Sequence, residues 1–175
     1  DAYLNIADID PDPVPALEAL AKLYEDMDDP ANAIDYMTRV ADLTVDGAQR
    51  VEAFYRIGTQ LEEKLGDRFQ ARERFEQARD LDPTHLPTLA ALRAIAIDEA
   101  DWDMAARYLD MEQQNTEVPR TRAKLLVELG TMRAEMLDMK DEAIEAFELA
   151  YQADVENEEA ALPTPPASNG RPPSH

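Results

Sequence analysis

The sequence predicts an all-α protein, an α-solenoid of antiparallel helix pairs. Three observations carry this expectation. Glycine is scarce, at 5 of 175 residues, while the helix formers alanine, leucine, glutamate and arginine are common. Apolar residues recur at the i, i+3, i+4, i+7 spacing of one helical face. The chain also repeats itself: residues 10–83 lie over 82–155 without a gap, and 22 of the 74 pairs are identical, more than shared composition explains.

Each block of this duplication divides into two helix pairs. Residues 1–11, with Tyr3, Leu4, Ile6 and Ile9 ahead of Asp10-Pro11, align with residues 74–83 and read as the end of a preceding repeat helix. On that reading the chain is a piece of a longer repeat protein. Leu17, Leu20, Ala21 and Tyr24 mark a first helix. Asp29 is placed to cap the next one, with Pro30 at its favoured first position. Ala33, Met37 and Val40 then form the inner face of that second helix.

The pattern recurs three times. Phe54, Ile57, Gly58 and Leu61 precede a cap at Asp67 and the run Ala71-x3-Phe75-x2-Ala78. Small residues there let two helices approach, Phe75 fills the space between them, and Leu81-Asp82-Pro83 ends the helix because proline disfavours helical geometry in the residue before it. Leu89, Leu92 and Ala96 precede Asp101, Ala105 and Leu109. Leu126, Leu129, Gly130 and Arg133 precede Ala143, Phe147 and Ala150. This last pair has Met139 at the cap position, so its cap is expected to be weaker or to move to Asp138. The pattern stops after Val155. Residues 156–175, with five prolines after Leu162, are expected to be a disordered tail.

Paired helices with a leucine and a small residue in the first, and Ala…Phe…Ala…Pro in the second, resemble tetratricopeptide repeats, which implies an all-α, right-handed α-solenoid of antiparallel helix pairs. The resemblance covers four repeats within residues 12–155, at about 15–45, 48–83, 86–116 and 121–155. Arg93 departs from it by standing where a small residue belongs. The third pair is therefore expected to splay, or the side chain to leave sideways.

The resemblance implies a non-catalytic protein–protein interaction scaffold that binds a peptide or helix on a concave face lined by the first helices. Counting one and four residues from the core positions gives Glu18, Lys22 and Glu25, then Tyr55, Thr59 and Glu62, then Ala90, Ala94 and Ile97, and finally Val127, Thr131 and Ala134. The second half of this set is small and apolar, so an apolar groove is expected there, with Glu18, Glu25 and Glu62 taking basic flanking residues. Some members of the family hold a C-terminal carboxylate with Lys, Asn and Arg at such positions. Only Lys22, and Lys124 nearby, are basic here, so no such clamp is expected. The alternative is a structural or regulatory helical-repeat arm of a larger multidomain enzyme or assembly.

Charge narrows the partner. The chain carries 38 acidic and 17 basic residues, a net charge of −21. Nucleic acid needs clustered cations and is not expected as a partner, and neither is direct membrane insertion. A protein or peptide of basic or amphipathic character is expected, because the acidic field steers cations toward it. Residues 1–49 alone hold 12 acids and 2 bases. Self-association through exposed array ends is a further expectation.

Little in the sequence suggests chemistry. There is no cysteine, and the only histidines are His85 and His175. His85 reads as a loop or capping residue. Asp8, Asp10 and Asp12 have the spacing that opens a calcium loop, but Pro13 stands where its glycine is required. Pro163-x-x-Pro166 has the form of a polyproline ligand in a proline-rich stretch. Arg68, Arg72, Arg74 and Arg79 interleave with acids on one helix and are expected to pair along its surface. Catalytic, cofactor and metal residues are all expected to be none.

Overall fold

The structure, a computed structural model, describes residues 13–161. Among these residues there are eight helices and no strand. They are α1 (Val14–Asp26), α2 (Pro30–Leu43), α3 (Gly47–Glu63), α4 (Arg68–Leu81), α5 (Leu86–Asp98), α6 (Trp102–Gln114), α7 (Pro119–Glu135) and α8 (Lys140–Ala161). Each helix packs mainly on its neighbours in sequence, which makes an all-α solenoid of four helix pairs. The readings of residues 1–11 and of residues 162–175 lie outside the described residues.

One turn design recurs inside every pair. The second residue before the second helix has left-handed backbone: Asp28 (φ 55°), Gly66 (φ 66°), Ala100 (φ 58°) and Asp138 (φ 52°). This reversal lets the next N–H reach back to the first helix. Asp29 N–H donates to the Tyr24 carbonyl at 2.9 Å and Asp101 N–H to that of Ala96 at 2.8 Å. In the second and fourth pairs, which carry one more residue, the bonds run from Asp67 to Leu61 and from Met139 to Arg133. Orphan carbonyls at the helix ends are thereby satisfied. Asp29, Asp67 and Asp101 then accept from the backbone N–H of Asn32, Gln70 and Met104, capping α2, α4 and α6. Asp46 caps α3 in the same way through Gln49.

The core follows the apolar stripe of each helix. Ala33, Ala71 and Ala105 are fully buried, where second helices pass close to first ones. Phe75 lies directly over Gly58, and Phe147 over Gly130; a Cβ on either glycine would meet the ring at 2.5 and 2.8 Å. The first pair has Ala21 and Met37 at these places instead. There Tyr24 and Tyr36 stack at 5.4 Å, with ring planes 8° apart.

The third pair is held differently. Arg93 reaches along α6 to the position matching Ala78, where its guanidinium grips Glu112, with Nε at 2.7 Å and Nη2 at 3.3 Å from the two carboxylate oxygens. Its Nη1 donates to Glu128 of α7 at 2.7 Å. Arg93 thereby joins α5, α6 and α7 in one ion cluster in which the Glu112 side chain is only 7% exposed. Burial pushes the Glu112 carboxyl above its ordinary range, and Arg93 pulls against that shift.

Two expectations are corrected by these contacts. The arginines of α4 pair along their own helix only in part: Arg79 bonds Asp80 at 2.8 Å, but Arg68 bonds Asp98 at 2.7 Å and Arg72 pairs with Glu99, acids at the end of α5. Helix α4 faces the next pair closely enough for long side chains to reach across. The helical run also does not stop at Val155, since residues 156–161 continue α8. They are rich in Glu and Ala, good helix formers, and the first proline comes only at Pro163.

Candidate functional site

The first helices α1, α3, α5 and α7 carry all twelve positions expected to face a partner. Glu18, Lys22, Ala94, Val127 and Thr131 are exposed, and the other seven are half-buried. The half-buried positions are occupied by contacts within the chain. Both Glu25 carboxylate oxygens accept from Arg56 Nη2 at 3.2 Å, and one accepts from the Gln60 side-chain amide at 3.3 Å. Tyr55 packs on Phe75 and meets the His85 ring edge-on at 5.6 Å. Glu62 lies 3.7 Å from Arg68. Ile97 rests against the apolar core. The hydroxyls of Thr59 and Thr131 donate back to the Tyr55 and Val127 carbonyls of their own helices.

The seams between first helices are polar. Glu25–Arg56 joins α1 to α3, Lys64 reaches Asp28 at 2.9 Å across the same seam, and Arg93–Glu128 joins α5 to α7. The last of these sits between the α5 positions Ala90, Ala94 and Ile97 and the α7 positions Val127 and Ala134. The expected apolar stretch over the third and fourth pairs is therefore divided by an ion pair.

One concavity lies outside that stretch. A crevice of about 220 Å³ opens where α1, α2 and α3 meet, lined by Glu18, Ala21, Met37, Val40, Thr44, Gln49, Glu52, Ala53 and Arg56. Of these only Glu18 belongs to the set expected from sequence. Met37 was readable as a substitution for the phenylalanine of the second and fourth pairs, and that exchange was the available signal. A second concavity lies at α7 and α8, lined by Arg120, Lys124, Val127, Phe147 and Tyr151 among others. Phe147 is 40% exposed there, against 1% for Phe75, because no further first helix covers it among the described residues.

His85 occupies the N-cap position of α5. Its Nδ1 lies 2.7 Å from the Thr88 hydroxyl and its Nε2 lies 3.9 Å from Glu52. Among the described residues no group of three or more His, Cys, Asp or Glu is disposed to hold a metal ion, and no helix is long and apolar enough to cross a membrane.

Comparison with known proteins agrees with this architecture. Tetratricopeptide repeat models match residues 14–44 and 52–85. No curated protein matches the chain. Among solved structures, a crystal structure of MamA is 20% identical over 90% of this chain and 88% of its own, with a TM-score of 0.60. A second MamA crystal structure is 21% identical over 94% and 86%, with a TM-score of 0.63. At that identity the likeness is one of fold. The matched segments, the repeated turn and cap, and the stacked helix pairs together identify tetratricopeptide repeats in this chain, and such repeats are protein–protein interaction scaffolds in general character.

Proposed function

We propose that the chain holds a peptide or helical segment of a partner protein along the face of its first helices, which the family resemblance makes the concave face. The observation that carries this is the crevice between α1, α2 and α3, which opens beside the exposed Glu18 and has an apolar floor of Ala21, Met37, Val40 and Ala53. At about 220 Å³ it is smaller than the roughly 300–1,000 Å³ that encloses a drug-sized ligand. It suits one side chain of a longer segment. The remaining contacts then come from exposed positions farther along, such as Lys22, Ala94, Val127 and Thr131.

Selection of a randomised linear peptide library against the full chain tests this. Selected peptides should lose affinity for Glu18→Lys, Ala94→Asp or Val127→Asp variants and keep it for Glu73→Ala and Arg107→Ala, exposed positions on the second helices α4 and α6. Peptides that respond only to the second-helix variants would refute the proposal.

A second reading has its own support. The face of α8 that exposes Ile144, Phe147 and Tyr151 corresponds to the surfaces of α2, α4 and α6 on which the next first helix packs. A further helix docked there would make the chain an arm of a larger assembly, or join it to another copy.

A further inference from the structure

We infer that the crevice between α1, α2 and α3 is a lysine pocket: it takes the aliphatic stem and ammonium group of a lysine side chain presented by a basic partner segment. This rests on the peptide-holding reading above and gives it a chemistry.

The crevice exists because the first pair lacks the rings that fill the matching space in the second. In the second pair the matching space is filled by the chain itself. Phe75 lies on Gly58, Tyr55 packs on Phe75 at 5.8 Å, and His85 closes the edge against Tyr55. In the first pair the residue aligned with Tyr55 is Glu18, Gly58 is replaced by Ala21, and Phe75 by Met37. An alanine Cβ at Ala21 excludes a phenylalanine ring in the position seen over Gly58. The slender Met37 covers less, so Ala21, Met37, Val40 and Ala53 are left as an apolar floor.

The rim decides what the floor receives. Two carboxylates stand on it, Glu18 from α1 and Glu52 from α3. Among the described residues Glu18 has no cation within ion-pair distance, and Glu52 has only the His85 ring nitrogen at 3.9 Å. The rim's one cation, Arg56, is already held by both oxygens of Glu25. Lys22, one turn beyond Glu18, makes no ion pair with it. The described residues of the first pair and its following turn, 13–49, carry 8 acids and 2 bases, so the approach is through a negative field. Apolar walls with an anionic mouth match a lysine, whose four-carbon stem packs on apolar surface while its ammonium stays at the wet edge. An acidic side chain would meet Glu18 and Glu52 at the same mouth.

The test uses the full chain and a peptide from the library selection described above. Selected peptides should contain a lysine whose exchange for glutamate abolishes binding. Glu18→Gln combined with Glu52→Gln should weaken binding about tenfold, the sum of two partly exposed charge contacts. Glu73→Gln combined with Glu145→Gln removes the same charge from exposed sites on α4 and α8 and should change affinity less than about twofold. Ala21→Gly combined with Met37→Phe builds the Gly58–Phe75 arrangement into the first pair, keeps the fold, and should close the pocket and abolish binding. Peptides that bind along the first helices without a lysine, or that ignore both crevice double variants, would overturn the lysine pocket while leaving the peptide-holding reading intact. A library that yields no binder, or binders confined to the second helices, would overturn both.

Discussion

Phe75 Cε1 lies 2.5 Å from the point that a Cβ on Gly58 would occupy, so the ring and the missing side chain are two halves of one packing solution. Phe75 is fully buried and has nowhere to retreat. Gly58→Ala should therefore destabilise the chain, by about 1–3 kcal/mol of overpacking, even after the gain of about 1 kcal/mol in helix propensity is set against it. The matching change at Gly130 should cost less, because the Phe147 ring is half-exposed and free to swing outward. Gly47→Ala, with open space around the new methyl, should be neutral or slightly stabilising. Thermal unfolding of the three variants gives the order directly.

The same contrast applies to the rings. Phe75→Ala empties a sealed site and should cost about 3–5 kcal/mol. Phe147→Ala removes a ring that already loses much of its burial, and should cost less than half as much. Urea titration of both variants measures the difference. Equal costs would mean that something covers α8 in solution.

Ala100 carries a left-handed backbone at φ 58°, in the turn position that the second pair fills with Gly66. A Cβ in that conformation costs roughly 1 kcal/mol. Ala100→Gly should accordingly raise the melting temperature, although glycine elsewhere in a helical protein lowers it. The substituted residue is exposed, so no packing is lost.

Arg93 and Glu112 predict both a coupling and a pH effect. Arg93→Ala leaves the buried Glu112 without its partner and should cost about 3 kcal/mol. Arg93→Ala with Glu112→Ala restores the small residues found at these places in the second pair (Gly58 and Ala78), and should cost less than either change predicts alone. Because burial raises the native pKa of Glu112 above the ordinary 4.5, the native state holds the proton longer than the unfolded chain. Its stabilising contribution is complete below 4.5 and falls as pH rises through the raised native value. Glu112→Gln should remove that slope. Stability measured against pH for the wild type and the variant isolates it from the general repulsion among acids.

The parts of this fold legible in the sequence are those written in residue type at fixed spacing. The pairing of Gly58 with Phe75 and of Gly130 with Phe147, and the caps at Asp29, Asp67 and Asp101, follow from local pattern. The left-handed turn residues did not announce themselves, because only Gly66 is a glycine while Asp28, Ala100 and Asp138 adopt the same φ. The Arg93 cluster needed three helices to converge, and no one-dimensional spacing links residues 93, 112 and 128. The site was less legible than the fold for a related reason. Glu18 was recognisable as a surface position, but the crevice beside it depends on the shape of Met37 and on Glu25 having already claimed Arg56.

The most direct test of a peptide held on the first helices is amide hydrogen exchange of the full chain with and without a library-selected peptide. Added protection is expected in α1 and α3 around Glu18, Ala21, Glu52 and Ala53, extending toward α5 and α7, with α2, α4 and α6 unchanged on their outer faces. Protection confined to those outer faces, or to α8 alone, would contradict it.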